Sequence, residues 1–323
     1  MELKSLLAAA VLSAALIVPA ATQPAYPTRP VRMIVPFAAG GAADVFARMI
    51  GQHLQNKLGQ PFIIENIGGA GGAMGLGNIS RAEPDGYTVG IGGTGGLAIA
   101  PSLFAGKLPY DVRNLAAVSQ VSEVPNVLAI NPNRVAARSI GDFIALLKAN
   151  PGTVTYGSAG VGSSQHLAGE LFQQMTGTKM IHVPYKGSSP MITDLIGGQI
   201  DVAFDNGPLV LSTAQSGGIV LLGVATLEPA PFDPKLPMIA ETVHGYQANA
   251  WHVVVVPTGT PKPIVDTLAT EIQAFMKRPE TVRKMAELGS VAVSATPDVS
   301  AKRIADEIVL WRRVIEKAGV KPP

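Results

Sequence analysis

The sequence predicts an α/β fold arranged as two lobes, and three observations carry that expectation. Strand and helix signals alternate along the chain, the pattern that yields helix-flanked sheets. At 323 residues the chain is too long for one small core and suits two domains or lobes. Twice, a short apolar run passes through a glycine-rich turn into a helical pattern, once in each half. Hydrophobic residues reach 47% against 15% charged, which excludes a disordered chain.

The elements follow in order. Lys4, the apolar run 6–18 and the small residues Pro19-Ala20-Ala21 have the layout of a secretion signal, too short for a comfortable span. Residues 1–25 are therefore set apart from the fold, and a soluble exported protein is expected. Residues 31–35 read as a buried strand that Pro36 ends, having no N–H for a central ladder. Gly40 and Gly41 allow a tight turn, and Asp44 opens a helix with Val45, Met49, Ile50 and Leu54 on one pattern. A strand, glycine turn and helix start in that order aim unpaired N–H groups at one point, which suits an anion. A second strand at 61–66, the glycine run 68–72, a short helix to Arg81 and a third strand at 88–91 complete this part.

Residues 124–132 read as a strand leaving the first lobe. Ser139 caps a helix whose apolar face is Phe143, Ile144, Leu146 and Leu147. The strand 154–156 then enters Gly157-Ser158-Ala159-Gly160-Val161-Gly162-Ser163, and a helix follows with Leu167, Leu171, Phe172 and Met175 buried. Residues 180–184, a helix at 190–196 and a strand at 199–205 continue the second lobe. Asp205 sits at a strand's carboxyl end, where α/β sheets place ligand contacts, or serves as a cap for the turn after it. The run 219–226 is read as the return to the first lobe, giving lobe 1 as 26–130 and 223–323 and lobe 2 as 131–222. Two crossings imply a hinge with ligand in the cleft. A strand at 253–256 and helices at 264–277, 280–288 and 301–317 close the chain, with Trp311 and Ile315 on the last apolar stripe.

Several chemistries are excluded or disfavoured. A net charge of +2 makes no case for nucleic acid. The absence of cysteine excludes disulfides, thiolate nucleophiles and Cys-based zinc sites. Gly90, Gly92 and Gly95 match G-x-G-x-x-G, with Asp111 at a plausible distance for a ribose-binding acid. That fingerprint needs a helix to begin at the glycines, and Pro101 would cost such a helix interior about 3 kcal/mol. Ser163, Ser164 and His166 lack a G-x-S-x-G elbow and a third orienting group, which argues against a hydrolase. His182, His244 and His252 show no metal-ligand spacing, so neither metal nor cofactor is expected.

A first set of marks is Tyr26-Pro27 with Pro30, Pro36-Phe37-Ala38-Ala39-Gly40-Gly41-Ala42-Ala43-Asp44, Glu65-Asn66 with the glycine-rich run after it, and Pro84-Asp85-Gly86-Tyr87-Thr88. Leu108-Pro109-Tyr110-Asp111, Tyr156-Gly157-Ser158 through His166-Leu167-Ala168, His182-Val183-Pro184-Tyr185-Lys186-Gly187, and Asp201 to Asp205 complete the set. Taken together, these stretches resemble the Bug-type (tripartite tricarboxylate transporter) periplasmic solute-binding receptors. The resemblance implies a two-lobed periplasmic binding protein of type II-like form, each lobe a mixed sheet flanked by helices. It implies closure on a small carboxylate and delivery to membrane permease subunits, without chemistry, by a monomer.

Carried onto this chain, the resemblance places Phe37, Ala38, Gly40 and Gly41 on one side of the ligand. Ser158, Gly160, Gly162, Ser163 and His166 face it from the other, while Tyr185, Lys186, Gly187 and Asp205 line the cleft. Ala39 departs from the family's frequent Pro. Where relatives offer hydroxyls and an Asn, the run Gly93-Thr94-Gly95-Gly96 leaves Thr94 as the main polar side chain. Asp205 is the expected selectivity residue: it would accept from a hydroxyl or ammonium and repel a second carboxylate. The alternatives are an enzyme acting on small carboxylates (a hydrolase or NAD-dependent) and a sensing receptor feeding a signalling partner.

Overall fold

The computed structural model describes residues 26–230 and 232–318; the expected secretion signal at 1–25 lies outside them. The strands in chain order are β1 (Val31–Val35), β2 (Phe62–Asn66), β3 (Thr88–Gly93), β4 (Leu115–Ile130) and β5 (Thr155–Ser158). They continue as β6 (Ile181–Pro184), β7 (Val202–Asn206), β8 (Val220–Val224), β9 (Asn249–Pro257) and β10 (Val291–Ala292). The helices begin with α1 (Ala42–Leu58), α2 (Ala73–Ser80), α3 (Ala100–Leu103), α4 (Ile140–Ala149), α5 (Ser164–Thr176) and α6 (Ser188–Ile196). After them come α7 (Pro208–Gln215), α8 (Ile239–Thr242), α9 (Lys262–Met276), α10 (Pro279–Glu287) and α11 (Pro297–Ala318).

Local chemistry sets many of these boundaries. Gly59 ends α1 in the left-handed conformation, φ 77°, and returns its N–H to the Gln55 carbonyl. Ser139 and Ser163 cap α4 and α5 by accepting the N–H of Asp142 and His166.

The sheet is mixed and curled around β4. In the first lobe β2, β1 and β3 run parallel, and β9 joins β3 antiparallel. β9 pairs in turn with Leu115–Pro125 of β4, the ladder broken by two register shifts. The same strand then enters the second lobe, where Asn126–Ile130 pairs with β7 and Val127–Ile130 with β8. There β7, β5 and β6 run parallel. Irregular register bends a strand, so one 16-residue strand serves both lobes.

Helices cover both faces of each section. Met33 and Val35 pack with Phe46, Ile50 and Ile272 beneath α1 and α9, while Ile34 joins Leu76, Val253, Trp311 and Ile315 on the other face. In the second lobe Leu128, Tyr156 and Phe204 pack with Phe143 and Phe172, and Val127 and Ala203 pack with Met191, Leu195 and Val210. Alternation along each strand produces these paired cores.

One expectation is corrected here. A helical turn does begin at the glycines after β3, as a π-type turn over Gly95–Ile99 that runs into α3. Pro101 is tolerated because it falls in the first turn of α3, where a missing N–H costs little. The dinucleotide reading gains nothing from it. A Cβ on Gly90 would lie 2.1 Å from Ile79, on Gly92 2.5 Å from Leu97 and on Gly96 2.3 Å from Leu76. These glycines admit the protein's own apolar side chains, while Gly95, the third glycine of the fingerprint, faces the Gly162 oxygen of the second lobe.

At Asn126 the β4 strand passes from pairing with β9 to pairing with β7. Asn126 is fully buried; its amide donates to the Ala248 carbonyl at 2.8 Å and its Oδ1 accepts from Asn206 at 2.9 Å. Ala225 donates its N–H to Asn126 and receives that of Ala248. Among the described residues, no helix is long and apolar enough to cross a membrane.

Candidate ligand-binding site

Turns at the carboxyl ends of β1, β3, β5, β6 and β7 converge from both lobes on one cavity. The first lobe contributes Phe37, Gly41, Ala42, Ala43, Thr94, Trp251 and His252. The second contributes Ala159, Ser164, Gln165, Ser188 and Asn206. Among the described residues, no Lys or Arg lines the cavity.

Three helices point their N-termini at this space. α1 begins with Ala42 and Ala43, α5 with Ser164 and Gln165, and α6 with Ser188, all lining residues. The first N–H groups of a helix have no partner within it, and the aligned peptide dipoles leave that end partly positive. Such an arrangement binds an anion such as a carboxylate without a cationic side chain.

The turns are held by buried polar groups behind them. Asp44 accepts the Gly40 N–H at 2.9 Å, the Asn66 amide at 2.9 Å and two bonds from Arg48 at 3.0 Å. Burial opposes its ionisation, yet the bonds from Arg48, Gly40 and Asn66 prevail and hold its pKa below the usual carboxylate value. In the second lobe, the rings of Tyr156, His182 and His166 form a stack with centroids 4.8 and 4.2 Å apart. His182 Nε2 lies 2.7 Å from the Ser158 hydroxyl, and His166 Nδ1 accepts the Gly162 N–H at 3.2 Å. Burial presses His166 to a pKa of about 4 and His182, with His166 beside it, to about 3, so both are neutral. His252 pairs with the Ser122 hydroxyl at 2.9 Å and is likewise held neutral by burial, at about 4.

The lobes meet along a seam of glycines. Ala38 donates its N–H to the Lys186 carbonyl at 3.1 Å, and Ser189 donates its hydroxyl to the Ala39 carbonyl. A Cβ on Gly71 would stand 2.2 Å from the Val161 oxygen, and one on Gly95 2.7 Å from the Gly162 oxygen. Backbone thus packs directly on backbone, and the cavity lies within the closed seam.

Of the residues singled out from the sequence, Phe37, Gly41 and Thr94 line the cavity. Ala38, Lys186 and Gly187 lie at the seam, while the Gly40 N–H is taken by Asp44. The hydroxyl of Ser158 receives the Gly160 N–H, and Ser163 caps α5. Together with Gly162 and His166 these groups bond within their own lobe. The Tyr185 hydroxyl donates to Asp194 at 2.7 Å, away from the cavity lining. Asp205 is fully buried behind Ser188 and Gln165, which donate to it at 2.7 and 3.4 Å.

Ala42, Ala43, Ala159, Ser164, Gln165, Ser188, Asn206, Trp251 and His252 were not expected as lining residues. For Ser164, Gln165 and Ser188 a signal existed, since each follows a cap or glycine that starts a helix. For His252 none did: its place depends on the register of β9 against β4.

A family profile described as the tripartite tricarboxylate transporter family receptor matches residues 46–320. The chain belongs to this receptor family. BugT of Bordetella pertussis is 37% identical to the receptor over 303 residues, covering 92% of this chain and 91% of that one. The structure of R. palustris Rpa4515 with adipate is 34% identical, with a TM-score of 0.89 over 92% of the receptor and all of that chain. MatC from Rhodopseudomonas palustris, solved with bound malate, is 29% identical, with a TM-score of 0.84 over 90% of the receptor. The receptor therefore has the two-lobed fold of its solved relatives.

Proposed function

We propose that the receptor captures a small organic carboxylate between its lobes and delivers it to the membrane subunits of a tripartite transporter. The observation that carries this reading is the meeting of three helix N-termini in a cavity that, among the described residues, no Lys or Arg lines. Solved relatives carry adipate and malate, which supports the ligand class.

Binding without turnover belongs to the same reading. Ser158 and His182 approach to 2.7 Å, a nucleophile–base distance, yet Ser158 is fully buried and neither lines the cavity. Export to the periplasm follows from the signal-like residues 1–25, and action as a monomer is part of the proposal. Lobe 1 comprises the sections carrying β1–β3 and β9, and lobe 2 those carrying β5–β8. Ile239, Val243 and Tyr246 pack with Phe143 and Phe172, which favours a return to lobe 1 nearer Asn249 than residue 223.

Thermal unfolding and calorimetry against mono-, di- and tricarboxylates, with amines and sugars as controls, test the proposal. A ligand at 100 times its Kd adds about 2.7 kcal/mol of stability. Saturable binding confined to acids is expected. The absence of heat and of any shift with every acid overturns the reading.

A further inference from the structure

Asp205, the penultimate residue of β7, is fully buried, and among the described residues no cation pairs with it and its Oδ2 meets no hydrogen-bond partner. Burial raises its pKa to about 6, outweighing the bonds it accepts, so it remains ionised at neutral pH. An ionised carboxylate can only accept. This fixes the direction of every bond linked to it.

Gln165 must turn its NH₂ toward Asp205, which turns its carbonyl oxygen to Ser164; the Ser164 hydroxyl donates there at 3.1 Å. Ser188 commits its hydroxyl proton to Asp205 at 2.7 Å. Both serines line the cavity and so offer it lone pairs. On the opposite wall, Thr94 accepts the Trp251 N–H at 2.9 Å and keeps its own proton to donate. One carboxylate thereby polarises a wall of the cavity toward acceptance, while helix N-termini supply donors for an anion.

We infer that the receptor selects carboxylic acids bearing a hydrogen-bond donor, a hydroxyl or an ammonium, and that Asp205 is the positioning residue that sets this preference. An acid without such a group leaves the serine lone pairs unmet. A second carboxylate against this wall meets a buried like charge. The inference rests on the carboxylate reading above and deepens it.

The test is titration calorimetry on the intact receptor at pH 7.5 with two matched sets: succinate, malate and aspartate, and propionate, lactate and alanine. Within at least one set, the hydroxy or amino acid should bind about ten-fold or more tighter than its unsubstituted match. Which of the two binds identifies the donor as hydroxyl or ammonium. In Asp205→Asn that ratio should shrink to about three-fold or less, because the amide no longer dictates the direction of its neighbours' bonds. Ser188→Ala, a smaller change at the wall, should shrink it too and serves if the first variant does not fold. Equal or tighter binding of the unsubstituted acids overturns the inference while leaving the carboxylate reading intact. A ratio preserved in both variants overturns the role of Asp205. Failure of every acid to bind overturns the carboxylate reading itself.

Discussion

Gly95 in the first lobe lies against Gly162 in the second, so close that a Cβ on Gly95 would stand 2.7 Å from the Gly162 carbonyl oxygen and 2.9 Å from Ser163 Cα. The contact is between lobes, so it exists only when they are shut. Gly95→Ala should therefore fold normally and close poorly. We expect Kd for a bound acid to rise about ten-fold or more, as the closing-competent fraction falls, with the ligand-free melting temperature almost unchanged. Calorimetry and thermal unfolding check this, with Gly141→Ala, far from the seam at a helix start, as control. Undiminished affinity would show that the seam tolerates a side chain.

The crossing point makes a separate prediction. Asn126→Ala deletes the bond to the Ala248 carbonyl and leaves the Asn206 amide without its acceptor. Unsatisfied buried polar groups cost about 1–3 kcal/mol. Urea unfolding should show a loss of that size, since both partners are inside the protein.

Asp44→Ala acts on the turn that leads into α1. It strips the acceptor from Gly40, Asn66 and Arg48 at once. A stability loss of roughly 2 kcal/mol is expected, together with weaker acid binding, because the α1 turn loses its anchor. Full affinity in this variant would show that the turn holds its shape unaided.

Acid should destabilise the fold. His166, His182 and His252 have pKa values pressed from 6.5 to about 4, 3 and 4 by burial, with His166 adding to the shift of His182. The unfolded chain therefore binds protons near pH 6.5 that the fold refuses until about pH 4, and stability falls as pH drops through that window. Asp205, raised to about 6, opposes this because the fold keeps a proton that the unfolded chain releases. Three histidines outweigh one carboxyl, so the urea midpoint should be lower at pH 4.5 than at pH 7.5. His182→Asn should flatten that decline.

Much of the fold was legible because its signals are local. A cap such as Ser139 or Ser163 acts three residues along the chain, and Gly59 ends α1 through its own backbone angle. Apolar alternation and helical spacing likewise reveal strands, helices and buried faces to a reader of the sequence alone. Pro101 marks the limit of such reading, since the π-type turn before it puts the proline in the first turn of α3 and not in a helix interior.

By itself, then, the sequence determined the α/β alternation, the two strand–turn–helix motifs and the family resemblance they carry. Tertiary structure alone decided which polar groups face the cavity. The resemblance places Gly162 facing the ligand, and the structure gives its N–H to His166, whose ring stacks on His182. His252 reaches the cavity through a partner 130 residues away, Ser122, and the direction of the Ser188 hydroxyl depends on Asp205, 17 residues on. A hydrogen-bonding group is free for a ligand only if no other part of the chain reaches it first, and that contest is settled by strand register and packing between segments distant in sequence.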